Sequence, residues 1–152
     1  ELLKDAGFRV KFVNPYQFKT KGEMLAKCVD QAAIVKAVPL SVSCSHWHRK
    51  HMQCGHCVPC LIRRSSVHHA RFTEDAPYAS QNLKFVHKEK ETRDDLHAVQ
   101  TAIIRLKDTK DYKGWIRQSG SLPDDDVTRK KLESTIKRGL KEVETFLKAE
   151  RV

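Results

Sequence analysis

Apolar residues recur along the 152-residue chain in several rhythms, and each rhythm predicts an element. Residues 8–13 (Phe-Arg-Val-Lys-Phe-Val) alternate apolar and basic side chains, the period of a short strand, and Asn14-Pro15 turns the chain after it. Thr20-Lys21-Gly22-Glu23 has the form of a capping box, in which Thr20 accepts from the Glu23 amide and Glu23 reaches back to the Thr20 amide. One helix is expected from there towards Pro39, with Met24, Leu25, Cys28, Ala32 and Val35 on a single stripe. Cys28 on that stripe reads as a buried core thiol. Residues 41–57 have no period, and 58–70 read as a short helix with Pro59 in its first turn. Residues 73–82 are a linker by composition. A helix from an N-cap at Thr92 to Lys107 lines up Leu96, Val99, Ile103 and Leu106, and residues 108–123 are irregular or a short helix. Asp124, Asp125 and Asp126 open a long helix, where acidic groups suit the positive end of the dipole. Its stripe is Leu132, Ile136, Leu140, Val143 and Leu147.

Two amphipathic helices alone bury too little apolar surface to stand, so the last stripe must pack on something. Packing within the chain is expected first, with part of the surface left for a partner. The opening Glu-Leu-Leu-Lys-Asp-Ala-Gly reads as the last turns of a helix closed by Gly7 at C′, so the chain is expected to be the C-terminal part of a longer protein. No stretch approaches the roughly 18 apolar residues of a membrane-spanning helix.

Charge is unevenly spread. Residues 1–72 hold 12 Lys and Arg against 4 Asp and Glu, a net of +8, and the remainder hold 17 against 15, a net of +2. Six of the eight His fall within residues 46–69 of the basic half. A basic half either attracts an anionic partner, such as nucleotide phosphate or nucleic acid, or is a solvated surface.

Four of the five Cys crowd into residues 44–60 as Cys44, Cys54, Cys57 and Cys60, a C-x9-C-x2-C-x2-C pattern. An odd count packed this closely argues for a metal site in a reducing, cytoplasmic setting over a disulfide framework. Two Cys separated by two residues reach one metal from a tight turn, and Gly55 supplies the backbone freedom for it. Four thiolates complete a zinc tetrahedron and leave no open position, so the zinc expected here is structural. A redox C-x-x-C pair and an iron–sulfur cluster are the alternatives. His46, His48, His51 and His56 interleave the Cys and read as surface residues of the loop, with His56 or His48 able to replace one thiolate.

The run Asn-Pro-Tyr-Gln-Phe-Lys-Thr-Lys-Gly-Glu-Met-Leu, the four Cys, and Leu-Ile-Arg after the last of them resemble the C-terminal part of 7-cyano-7-deazaguanine synthases, the QueC family. In that family a strand leads through a Pro turn into a Lys-x-Glu helix start, then four zinc Cys, then an Arg three residues on. Pro15, Lys21, Glu23, Cys44, Cys54, Cys57, Cys60 and Arg63 match, over about residues 8–72. The Ser-His-Trp-His-Arg-Lys-His loop, Trp-Ile-Arg-Gln-Ser-Gly-Ser-Leu-Pro and the long last helix depart from the housekeeping synthase. They resemble the QueC-like branch found in the Qat anti-phage defence systems.

The resemblance implies a mainly α fragment with a short strand, the C-terminal part of an adenine-nucleotide alpha-hydrolase-like (PP-loop) fold. Residues 1–72 would carry the end of that domain with its zinc loop, 73–91 a linker, and 92–152 a helical extension. It implies an ATP- and magnesium-dependent ligase that activates a 7-deazapurine or related carboxylate as an adenylate, from which ammonia or another nucleophile displaces AMP. The Ser-Gly-Gly-x-Asp-Ser phosphate loop of that class is absent: Ser119-Gly120-Ser121 lacks the second Gly and the Asp-Ser. The catalytic half is therefore expected upstream of Glu1, and the isolated chain is expected not to turn over ATP.

Lys21 is expected near ATP phosphate or the substrate carboxylate, or is a solvated first-turn residue. Arg63 is expected to bind phosphate or acyl-adenylate in bidentate fashion, or to support a zinc-bound sulfur or sit on the surface. Glu23 reads as a capping carboxylate, His68 and His69 as surface residues, and Trp47 and Trp115 as packing residues. Besides the enzyme there remain a zinc-knuckle module binding nucleic acid through the His-rich loop, and an assembly role in which the C-terminal helices dock other defence-system proteins.

Overall fold

The structure, a computed structural model, describes residues 2–10, 13–73, 75–88, 94–107, 112–118, 120 and 122–152. The described residues are mainly helical and contain no strand. α1 (Leu2–Asp5) ends as its sequence predicts: Gly7 has φ +82°, and the Gly7 and Phe8 amides return to the carbonyls of Lys4 and Leu3. The strand expected over 8–13 does not form among its described residues. Phe8, Val10 and Val13 stay exposed with no neighbouring strand to complete a ladder.

α2 (Lys21–Ala26) starts on the predicted capping box, with the Glu23 amide 3.0 Å from Thr20 Oγ1 and the Thr20 amide 3.1 Å from Glu23 Oε2. The single helix expected to run on towards Pro39 is broken. Asp30 caps a new start by accepting from the Ala33 amide, which gives α3 (Gln31–Ala37). The Gln31 side chain donates to the carbonyls of Leu25 and Cys28, satisfying the end of α2. The break removes Cys28 from the core: it is half-exposed, with its Sγ 3.5 Å from the Asp30 carbonyl.

α4 (Trp47–Lys50) lies in the Cys-rich loop. α5 (Val58–His69) has Pro in its first turn and closes at Arg71, which has φ +59°. α6 (Leu83–Lys88) falls inside the stretch expected to be linker, and its Leu83 and Val86 are buried. α7 (Asp94–Lys107) buries Leu96, Val99 and Ile103, while the N-cap expected at Thr92 lies outside the described residues. α8 (Tyr112–Gln118) follows. α9 (Asp126–Ala149) starts on Asp125, whose carboxylate accepts from the Val127 and Thr128 amides.

α9 packs on α5 and α7, and α5 on α2. Val143, Phe146 and Leu147 of the predicted last stripe and its flank close a core with Leu61, Leu83, Val86, Leu96, Val99 and Ile103. The C-terminal helices therefore fold against the Cys-bearing half. A second, smaller core is made of the four clustered Cys and Tyr78, with Trp47 packed on it. Arg64 joins the two, its guanidinium 5.1 Å from the Tyr78 ring centre and 5.2 Å from that of Phe146.

Candidate metal centre and adjoining cavity

The loop between α3 and α5 has little apolar material, and sulfur fills its interior. Cys57 and Cys60 are fully buried, and Cys44 and Cys54 nearly so. The chain turns between Cys54 and Cys57 at Gly55, whose φ is +87°. A Cβ there would stand 2.5 Å from the Ser80 carbonyl oxygen and 2.9 Å from Tyr78 Cβ, so no other residue fits.

Cys44, His46, Cys54 and Cys57 each bring one ligand atom within 4.8 Å of all the others. Cys57 Sγ lies 4.0 Å from Cys44 Sγ, and Cys60 Sγ lies 3.9 Å from Cys54 Sγ. Thiolates about 2.3 Å from a tetrahedral zinc stand roughly 3.8 Å apart, so these spacings fit a metal ion. Backbone amides point at the sulfurs: those of His46 and Cys54 lie 3.3 and 3.2 Å from Cys44 Sγ, and that of Cys57 lies 3.3 Å from Cys54 Sγ. Such donors stabilise thiolate, the ligand form.

The thiol energetics follow from this crowding. The interaction with Cys60 brings Cys54 down to about 3 against the opposing effect of burial, and the His46 side chain lowers it further. The same pairing, with burial, pushes the Cys60 thiol up, and burial raises Cys44 against the two amides that favour its thiolate. Burial at Cys44, and the pairing with burial at Cys60, thus hold protons there beside a Cys54 thiolate, and a bound cation would favour the thiolate form at each ligand.

Three of the four predicted Cys thus converge with His46, whose sequence position read as surface, while Cys60, with its Sγ 3.9 Å from that of Cys54, stands outside the group whose atoms all lie within 4.8 Å. The Cys44-Ser45-His46 spacing was the available sign. His56 also turns inward, with a buried Nδ1 that has no partner among the described residues, its ring 6.3 Å from that of His46. His48 and His51 are exposed.

Lys21 and Arg63, predicted separately, line one cavity of about 310 Å³ with Met24, Leu25, Val38, Val42 and Val67. Their surroundings differ. Lys21 is exposed at the start of α2. Arg63 is buried and its donors are fully engaged. Nε donates to Asp75 Oδ1 at 2.8 Å and Tyr78 Oη at 3.1 Å, and Nη1 to the Ser41 carbonyl and hydroxyl at 3.0 and 2.8 Å. Nη2 donates to the Val38 carbonyl and, at 2.6 Å, to Asp75. Tyr78 in turn donates to Asp75, and burial together with that carboxylate holds its hydroxyl well above the usual tyrosine range.

A second cavity, of about 300 Å³, is lined by Glu23, His68, His69, Arg138, Lys141 and Glu142. There His69 Nδ1 stands 3.8 Å from Glu142 Oε1, and Arg138 Nε donates to Glu23 at 2.6 Å. No helix among the described residues is long and apolar enough to cross a membrane. No protein-family model, curated protein or solved structure matches the chain.

Proposed function

We propose that the chain is the zinc-binding C-terminal portion of a QueC-like, ATP-dependent PP-loop enzyme that activates a 7-deazapurine or related carboxylate as an adenylate, in anti-phage defence. The observation that carries the reading is a juxtaposition. One short segment, residues 38–43, lines the cavity together with Lys21 and Arg63 and leads directly into Cys44 of the metal cluster. In this reading zinc is held by Cys44, Cys54 and Cys57, with Cys60 as the fourth thiolate and His46 beside it. Soft thiolate donors suit zinc, and when bound it supplies structure to a loop with little apolar material of its own. Lys21 contributes the positive charge that an anionic phosphate or carboxylate meets in the cavity. Arg63, neutralised by Asp75, shapes that cavity and leaves the anion to Lys21.

Elemental analysis of freshly purified protein is expected to give one zinc per chain, lost on Cys54→Ser. A chain without zinc, or a brown iron–sulfur chromophore, removes the reading. In the full-length enzyme this reading implies, Lys21→Ala is expected to cut ATP-dependent pyrophosphate release at least about tenfold, the share of one charged contact. Full activity of that variant would remove the cavity's role. A second reading, nucleic-acid binding, draws support from His48, Arg49 and His51, which are exposed on the outer side of the metal loop. It requires salt-dependent binding to RNA or DNA that is lost on Arg49→Ala.

A further inference from the structure

The segment 38–43, which lines the cavity and leads into Cys44, makes short turn bonds of its own, from the Leu40 amide to the Ala37 carbonyl and from the Ser41 amide to the Val38 carbonyl, both at 3.1 Å. Leu40 is 85% exposed and Val42 49%. Further polar groups of the segment are held by two side chains that belong to the metal loop and its following helix. Gln53, 1% exposed and adjacent to Cys54, accepts at Oε1 from the Ser43 amide and hydroxyl, both at 3.2 Å. Its Nε2 reaches the Ser41 carbonyl at 3.5 Å. Arg63, three residues beyond Cys60, holds the Ser41 hydroxyl and the Ser41 and Val38 carbonyls. Both clamps are set from the metal side. The Gln53 carbonyl accepts from the Ala79 amide at 2.8 Å and the Cys54 carbonyl from the Ser80 amide at 3.0 Å, which places Tyr78 against the sulfurs and its hydroxyl on Arg63.

We propose that Gln53 and Arg63 are positioning residues that make the cavity wall dependent on the metal: with the cluster loaded, residues 38–43 are held over the cavity, and with the metal lost they are released. The link rests on the reading that the cluster holds zinc. It goes beyond that reading because a structural zinc need not govern a neighbouring binding surface. A buried glutamine gives its side chain to this segment, and a buried arginine divides its donors between the segment and the Asp75–Tyr78 pair.

Hydrogen exchange of the full chain, read by mass spectrometry on peptides covering 38–43 and 140–147, tests it. Removing zinc with a chelator is expected to speed exchange in 38–43 about tenfold, the share of one lost hydrogen bond, and to leave 140–147 in α9 unchanged. Gln53→Leu is expected to give the same increase in 38–43 while the protein keeps its zinc. Arg63→Lys, which retains the charge but cannot span Asp75, Ser41 and Val38, serves where Gln53→Leu does not fold. Equal acceleration in both regions on chelation would show that zinc supports the whole fold, and it overturns the link. So does an unchanged 38–43 in either zinc-loaded variant. Purified protein without metal defeats the zinc reading itself, which the metal content reports separately from the exchange rates.

Discussion

Gly55 carries two constraints at one atom: a left-handed backbone and a carbonyl 2.5 Å from where a Cβ would stand. Gly55→Ala is expected to cost about 2 kcal/mol or more in urea unfolding, and to lower zinc content, because the turn that aims Cys54 and Cys57 must open. Cys28→Ser, at a half-exposed position outside the cluster, is expected to stay within about 0.5 kcal/mol of wild type. The two substitutions separate sulfur in the site from sulfur in the chain. The closeness of Cys54 and Cys57 was legible because its geometry is local: two Cys on either side of a Gly turn face each other whatever surrounds them. Arg63 was not. Its acceptors at Val38, Ser41, Asp75 and Tyr78 lie 12 to 25 residues away, and nothing in Leu-Ile-Arg announces them. His46 fell between the two cases: its spacing from Cys44 was a sign, but a weak one beside the nearby, exposed His48 and His51.

Helix ends announced themselves best. Thr20 and Glu23, Pro59, Asp125 and Gly7 each act through backbone groups within four residues, so short motifs carry them. The break between α2 and α3 was hidden because the stripe from Met24 to Val35 reads as continuous. It is Asp30 and the Gln31 side chain, not hydrophobic spacing, that stop one helix and start the next. The strand over 8–13 shows the opposite failure, an alternation with no partner strand among the described residues. Thr20 does more than cap, since its hydroxyl also donates to Glu142 of α9. Thr20→Ala is expected to destabilise by about 2 kcal/mol in denaturant unfolding, the sum of a lost cap and a buried carboxylate left without its donor. Thr20→Ser is expected to restore most of that. Gly22 lets α2 approach this closely, because a Cβ there would meet Glu142 Oε2 at 2.7 Å.

At the scale of the molecule the C-terminal helices are core. Of the nine buried residues in the larger cluster, only Leu61 precedes Asn82. Truncation after Asn82 is therefore expected to give insoluble protein or to lose cooperative unfolding, checked by expression and thermal melting. A buried carboxylate where α9 meets α7 sets a pH dependence. Lys148, Lys141 and Lys107, in that order, hold the Glu144 carboxyl down to about 2 from the usual 4.5. A carboxyl lowered by folding adds stability above its unfolded value and loses it as pH falls through the folded one. Stability is thus expected to drop between about pH 4.5 and 2, less steeply in Glu144→Gln. Because the three lysines are about two-thirds exposed, added salt should shrink the effect.

The seam where α2 meets α9 also bears on how the chain finds its fold. Thr20 and Glu142 are 122 residues apart and Glu23 and Arg138 are 115 apart, whereas Cys44 and Cys57 are separated by 13. Closing the longer loop costs about 2 kcal/mol more chain entropy than closing the shorter. The sulfur knuckle and α5 are then the place for a nucleus, and the seam joins after the barrier is crossed. In stopped-flow measurements Thr20→Ala should accelerate unfolding and leave refolding nearly unchanged, and slowed refolding would instead place the seam within the nucleus. A protein built this way has its ends fastened last and released first, so the earliest opening under stress should expose the Glu142 side of α9 while the knuckle remains closed.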